Sequence, residues 1–380
     1  MKSVLFGWYI RFLKLCAFFV PIRSNSFVIL NGAGRSGSNG YLFYKYLRKE
    51  HPELNVTLVE PWPSSHLKWS VWKKIGGAQY IFTTHQPFKI KRKQISFSLW
   101  HGIPLKRMGF MAYNTKYHTN KHNMNIWQHQ ADYIASSSDI YETLMASCVG
   151  IDTNKFIRTG FPRLDFLNKP ISKRIILKDL FDSDNEKAKI GIYMPTFRYE
   201  LEDKTIMNQI ESGNFFAFDD FDIVALNSTL VENNQYLIVK LHPYEMKLVS
   251  AEMKQASNIA FLNNNYLNEN DIDLYELLGI TDFLMTDFSS IFFDYLLLNR
   301  PIIFVSNFLK QYSKARGLLM SPYENIVPGQ QVLNQKELQI ILKNIDKDPY
   351  KERRNKLCTI FFEKDKNCCQ SIYELTKRVN

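Results

Sequence analysis

Residues 282–306 read DFLMTDFSSIFFDYLLLNRPIIFVS. The stretch opens on a short apolar run, Phe283 to Met285, and breaks at Thr286 and Asp287. It restarts with apolar residues at Ile291, Phe292, Tyr295, Leu296 and Leu298. That pattern predicts a strand, a turn and a helix, and the apolar PIIFVS after Arg300 predicts a second buried strand. Such a βαβ unit sets a helix N-terminus at the carboxyl end of the first strand, where unpaired amides and the helix dipole favour a phosphate. Ser289 and Ser290 stand where hydroxyls cap that helix or meet phosphate oxygens. Taken alone, the stretch also fits ordinary N-capping serines.

Working outward, the same alternation recurs. SNSFVILNG (24–32) predicts a buried strand ending in the glycine-rich turn GAGRSGSNG (32–40), then a helix, then the strand NVTLVE (55–60). Further strands are expected in QYIFTT (79–84), ISFSLWHG (95–102), ADYIASSS (131–138) and KFIRTGFP (155–162). A charged stretch with Pro170 follows over 167–189, and the pattern restarts with IGIYMPT (190–196), YLIVKLHP (236–243) and NIAFLN (258–263). Strands alternating with helices imply doubly wound parallel sheets. Two such halves predict an α/β protein of two Rossmann-like domains facing a cleft that holds the site. The expected boundaries are 24–170 and 171–350, with a helical tail over 351–380. Gly32, Gly34 and Gly37 fit GxGxxG after a strand, and Glu60 stands near where a dinucleotide site places its acid. That motif alone is weak evidence, and the loop, with Gly37 and Ser38, is read instead as bordering an acceptor site.

The formal net charge of +11 favours anionic partners without choosing among nucleotides, phosphopolymers, acidic lipid and nucleic acid. The five cysteines are scattered and lack zinc spacing, which suits thiols in a reducing compartment. Residues 4–20, VLFGWYIRFLKLCAFFV, are strongly apolar but carry Arg11 and Lys14. The run is too short and too charged to span a bilayer, and no small-residue cleavage site follows it. Residues 1–23 are therefore read as an amphipathic helix on an anionic membrane surface, with a docking helix of the first domain as the alternative. No HxH, HExxH or DxD motif for a metal is present.

Five motifs stand in order: SLWHGIPLKRMG (98–109), TGFPRLD (159–165), IYMPTFR (192–198), LIVKLHP (237–243) and TDFSS (286–290), followed by QYSKARG (311–317) and PG at 328–329. In this order they resemble the CDP-glycerol glycerophosphotransferase family of teichoic-acid and capsule synthesis, over about residues 35 to 330. The resemblance implies a glycosyltransferase-B fold and transfer of an alditol phosphate from a CDP-linked donor to a hydroxyl of a lipid-linked saccharide or polymer. It further implies release of CMP, and the basic balance with the N-terminal helix leads to the expectation of a peripheral enzyme on the cytoplasmic face of the membrane. The resemblance makes His101, in the WHG motif, catalytic and His242 essential. At a strand's carboxyl end an imidazole of pKa near ~6.5 suits a general base, the role expected of His101. His242 is expected to bind or protonate the phosphate region. Arg198 and Arg316 carry guanidinium forks suited to a diphosphate. Asp287, Ser289 and Ser290 match the family's phosphate-holding segment, where Asp287 is expected to bind a hydroxyl or cap the helix, and Phe288 replaces the motif's Tyr, a departure expected to alter nucleotide contacts. Lys106 completes the WHG motif on the acceptor side, and Arg163 and Asp165 are expected to brace the interdomain crossing. No cofactor is required, although magnesium stays open without a motif. A nucleotide-sugar glycosyltransferase on the same fold is the first rival. A non-catalytic basic binding protein is the second, with no nucleic-acid signature in the sequence.

Overall fold

The computed structural model describes residues 2–63, 68–201, 203–251, 253–363 and 367–379. The chain divides into two units, one of Met1–Gly102, Asn114–Asp165 and Phe362–Asn380, the other of Ile103–Tyr113 and Phe166–Phe361.

The first unit is built on a parallel sheet of β1 (Ser26–Leu30), β2 (Asn55–Val59), β3 (Tyr80–Thr83), β4 (Ile95–Ser98), β5 (Tyr133–Ala135) and β6 (Phe156–Ile157), in the order β2-β1-β3-β4-β5-β6. Every residue of β1 is buried, which is why it reads as an unbroken apolar run rather than an alternating one. Its register sets Phe27 opposite Val56 and Tyr80. The strand order reverses between β1 and β3, so the crevice at their carboxyl ends is the switch point where doubly wound sheets bind ligands. Three helices matter here: α1 (Lys2–Phe18), α2 (Asn39–Glu50) and α3 (Trp69–Gly77). Leu13 and Ala17 of α1 pack on Trp72 of α3, and Gly76 meets the Ala17 carbonyl at a distance that leaves no room for a Cβ.

The second unit carries β7 (Lys189–Tyr193), β8 (Gln235–Val239), β9 (Ile259–Phe261), β10 (Phe283–Thr286), β11 (Ile302–Val305) and β12 (Gln330–Val332). The order β12-β11-β10-β7-β8-β9 is the 3-2-1-4-5-6 order of a Rossmann sheet read from its other edge, and all its pairings are parallel. Its switch point lies between β7 and β10. The unit's core gathers Tyr193, Leu237, Val239, Phe283, Met285, Ile303 and Val305 from the strands. β12, sequence QQV, lacks an apolar run and was not foreseen. Gly329 explains the PG motif before it: a Cβ there would lie 2.0 Å from the Ile302 carbonyl oxygen.

The tail expected as one helical segment over 351–380 is divided. Lys351–Phe361 belongs to the second unit, where Phe361 packs on Phe293. Cys368–Arg378 belongs to the first. There the Asp165 carboxylate accepts from the amides of Cys368 and Cys369 at 2.8 Å each, and Tyr80 donates to the Thr376 carbonyl.

Candidate active site

In the first unit three segments meet at the sheet's carboxyl end: the loop after β1, the TTH end of β3 and the LWHG turn after β4. Trp100 adopts φ +48, an unusual state for a bulky side chain. It is held there from outside the turn. The Asn39 amide, at the first position of α2, donates to the carbonyls of Leu99 (3.1 Å) and Trp100 (2.9 Å). Arg163 donates from its guanidinium to the His101 carbonyl (2.8 Å) and from its backbone to Asn39 (3.1 Å). Gly102, at φ +127, lies where a Cβ would collide with that guanidinium at 2.4 Å. Arg163 thus braces the histidine turn, while Asp165 caps the last helix.

The His101 ring stacks on Trp100, with centroids 4.0 Å apart, and places Nδ1 3.3 Å from the Thr84 carbonyl. A carbonyl only accepts, so Nδ1 carries the proton and the Nε2 lone pair is the ring's acceptor. The residue keeps exposed surface, but burial of its surroundings still pushes the pKa down from the usual 6.5. His85 and Arg163 push the same way, and the Thr84 bond opposes them. His85, at 5.1 Å between ring centroids, is a second imidazole that sequence reading passed over. Its signal was there: it follows the run QYIFTT as His101 follows SFSLW.

The loop after β1 is closed by its own residues and by Glu60 after β2. Glu60 pairs with Arg35 (2.5 Å) and accepts from Asn31 (3.2 Å), which occupies the acid a dinucleotide site would need. Gly37 has φ +71. The buried Ser38 hydroxyl donates to Asn31 and accepts from the Tyr41 amide, capping α2. Its expected place on an acceptor surface is corrected, because the hydroxyl serves the helix.

In the second unit His242 follows β8. Its Nδ1 accepts from the Tyr244 amide at 3.3 Å, so the neutral ring carries its proton on Nε2, ready to donate. Phe197 packs against it, with centroids 4.1 Å apart. Across the switch point, Thr196 after β7 donates from its amide (2.8 Å) and hydroxyl (3.0 Å) to the Asp287 carboxylate after β10. Burial raises the Asp287 pKa despite Arg198, Thr196 and Lys106. Ser289 and Ser290 keep partial exposure. Ser290 makes no side-chain cap bond, and Ser289 accepts from the Ile291 amide at 3.5 Å. The helix they precede, Ile291–Tyr295, has five residues and gives way to a 3-10 turn.

Three expectations change here. Arg198 is fully buried and forks onto the buried Glu245 (3.1 and 3.3 Å), with a further bond to the Phe215 carbonyl. It braces the loop after β8 and is closed to a diphosphate. Asp287 is equally enclosed, tying β10 to the β7 loop rather than meeting ligand. Phe288 stacks on Tyr312 and packs on Phe308 and Tyr323, so the motif's ring is core and contributes no nucleotide contact.

Lys106, expected on the acceptor side, belongs to the second unit. It bridges to Leu318, flanked by the bonds Arg107 N–H to Gly317 (3.1 Å) and Leu319 N–H to Leu105 (2.9 Å). Its ammonium lies 5.9 Å from the Tyr312 ring. Arg316, half-buried, ends the helix that carries Tyr312. The unit thus gathers Lys106 and Arg316 around one stretch, and holds His242, Ser289 and Ser290 at the carboxyl ends of its strands. Among the described residues, no group of three or more His, Cys, Asp or Glu is placed to hold a metal ion.

Residues 17–376 match the CDP-glycerol:poly(glycerophosphate) glycerophosphotransferase family. The chain belongs to that family. It is 26% identical over 351 residues to the teichoic acid glycerol-phosphate transferase of Staphylococcus aureus (strain NCTC 8325 / PS 47), covering 87% of this chain and 83% of the relative. It is 27% identical over 285 residues to the teichoic acid ribitol-phosphate polymerase TarL of the same strain, covering 72% of this chain but 47% of the relative. The structure of the wall teichoic acid polymerase TagF superposes with a TM-score of 0.76 at 20% identity, over 100% of this chain and 95% of that one. The fold is therefore the α/β fold of two parallel sheets seen in TagF, and the chain is an enzyme of the glycerophosphotransferase family. The residues that sequence reading missed in this family member, Asn39, Thr84 and Glu245, act from afar. Each holds a motif residue from another segment, and no local pattern marks them.

Proposed function

We propose that this glycerophosphotransferase moves glycerol phosphate from CDP-glycerol to a hydroxyl of a lipid-linked saccharide, on a glycosyltransferase-B fold at the cytoplasmic membrane surface. The observation that carries the reading is the His101 ring, whose Nδ1–H faces the Thr84 carbonyl and whose Nε2 is left as acceptor. In the proposed reaction Nε2 takes the proton of the acceptor hydroxyl as its oxygen attacks the donor's β-phosphorus. The β-phosphorus–oxygen bond of the diphosphate breaks, and CMP leaves with the bridging oxygen. His242 donates from Nε2–H to the diphosphate. Ser289 and Ser290 offer hydroxyls to it, and Lys106 and Arg316 offset its charge. CDP-ribitol is the alternative donor, since it differs only in the alditol. A donor panel tests the proposal: CDP-glycerol is expected to turn over faster than CDP-ribitol, and a preference for any nucleotide-sugar would sink it.

Two kinetic results follow. His242→Ala removes one donor to a charged acceptor and is expected to lower kcat/KM by the equivalent of about 1.5–3 kcal/mol. An unchanged kcat/KM would remove His242 from the site. The depressed pKa of His101 also has a sign. The base works deprotonated, so activity falls only as pH drops through its pKa, and the acid limb of kcat/KM is expected below 6.5. An acid limb at or above 6.5 would contradict this environment.

The reading of α1 as a membrane-surface helix is supported by its exposed side. Trp8 and Phe12 are 63% and 59% exposed, with Arg11 and Lys14 on the same helix, and Phe19, just past its end, is 74% exposed. Among the described residues, Leu13 and Ala17 with part of Ile10 form the apolar stripe that packs on Trp72. Among the described residues no helix is long and apolar enough to cross a membrane. Serine at Trp8, Phe12 and Phe19 is expected to lower sedimentation with vesicles sharply, and unchanged binding would overturn this part.

A further inference from the structure

α3 has two working faces. Trp72 and Gly76 face α1. Ser70, Lys73, Lys74 and Gly77, spaced i, i+3, i+4 and i+7, line a recess of about 290 Å³ bounded by the starts of β1 and β2. Arg23, just before β1, adds a third cation, and Asn55 and Thr57 of β2 add polar groups. Among the described residues, no carboxylate lines the recess. Lys73, Lys74 and Arg23 are all exposed. The chain reaches Arg23 directly from the end of α1, and the Arg23 amide is pinned to the Gly77 carbonyl at 2.9 Å. Because the sheet is parallel, this opening at the amino ends of β1 and β2 lies at the opposite edge of the sheet from His101, which follows the carboxyl end of β4.

We infer that this recess binds the phosphate of an anionic phospholipid headgroup, next to the apolar helix α1. The proposal rests on the reading of α1 as a membrane-surface helix. Three cations converge without an acid to neutralise them, and the recess adjoins the helix whose apolar side chains stand exposed. A headgroup phosphate of the same leaflet matches both the charge and the position. α1 then supplies affinity for any bilayer, while the recess supplies preference for an anionic one.

The test is co-sedimentation of the full chain with vesicles of phosphatidylcholine alone and of phosphatidylcholine with phosphatidylglycerol. Lys73→Gln with Lys74→Gln is expected to weaken binding to the anionic vesicles about tenfold or more, and to leave binding to neutral vesicles and the thermal midpoint unchanged. Serine at Trp8, Phe12 and Phe19 lowers binding to both vesicle types, so failure of the helix reading and failure of the recess are read separately. Lys343→Gln with Lys347→Gln, exposed on the second unit, removes the same charge and is expected to have a much smaller effect. An equal loss in that control would reduce the effect to net charge and overturn the site. Inorganic phosphate at matched ionic strength distinguishes the sources. Tighter binding of inorganic phosphate than of a soluble glycerophosphodiester headgroup would make the recess a free-phosphate site and overturn the lipid assignment. Undiminished anionic binding in the Lys73 and Lys74 variant would overturn it as well.

Discussion

His101→Ala is expected to lower acceptor-dependent release of CMP by about 10²–10⁴-fold, the range for loss of a general base, with little change in thermal midpoint. The separation of the two readouts follows from the turn's construction. What holds the turn is the residue's carbonyl, which accepts from Arg163, together with the carbonyls of Leu99 and Trp100, which accept from Asn39. The imidazole itself makes one long bond, to Thr84. Removing it deletes the acceptor nitrogen and leaves the scaffold intact. A loss smaller than tenfold would assign the base elsewhere, and His85 would be the next residue to replace.

The second large effect is on stability. Arg198→Ala strands the buried Glu245 carboxylate, and breaking such a pair costs about 3–5 kcal/mol. It also removes the donor to the Phe215 carbonyl. Replacing both partners, Arg198→Met with Glu245→Leu, is expected to recover much of that loss, since an apolar pair of similar volume carries no desolvation cost. Urea unfolding of the parent and the two variants measures this. If the single variant unfolds like the parent while turnover collapses, Arg198 meets the donor after all and the bracing role is wrong.

The strands were legible because a strand buried on both faces is written as an apolar run, and these runs end at Asn31, Thr84, His101, His242 and Asp287, at or just past the carboxyl ends of the strands. What local patterns do not encode is which polar group answers which. Arg198 looks like a ligand fork until Glu245, 47 positions on, is found against it. Ser38 looks like a loop hydroxyl until it caps α2. Lys106 sits beside the WHG motif in sequence, but a backbone pairing with Leu318 carries it into the other unit. β12 was invisible because QQV, a three-residue strand at the sheet's edge, needs no apolar run.

The identity of the nucleotide released from CDP-glycerol tests the central claim most directly. With a lipid-linked saccharide present, attack at the β-phosphorus gives CMP and a glycerol-phosphate product, in amounts that rise together. Release of CDP instead, with glycerol transferred alone, would place the attack at carbon and contradict the mechanism.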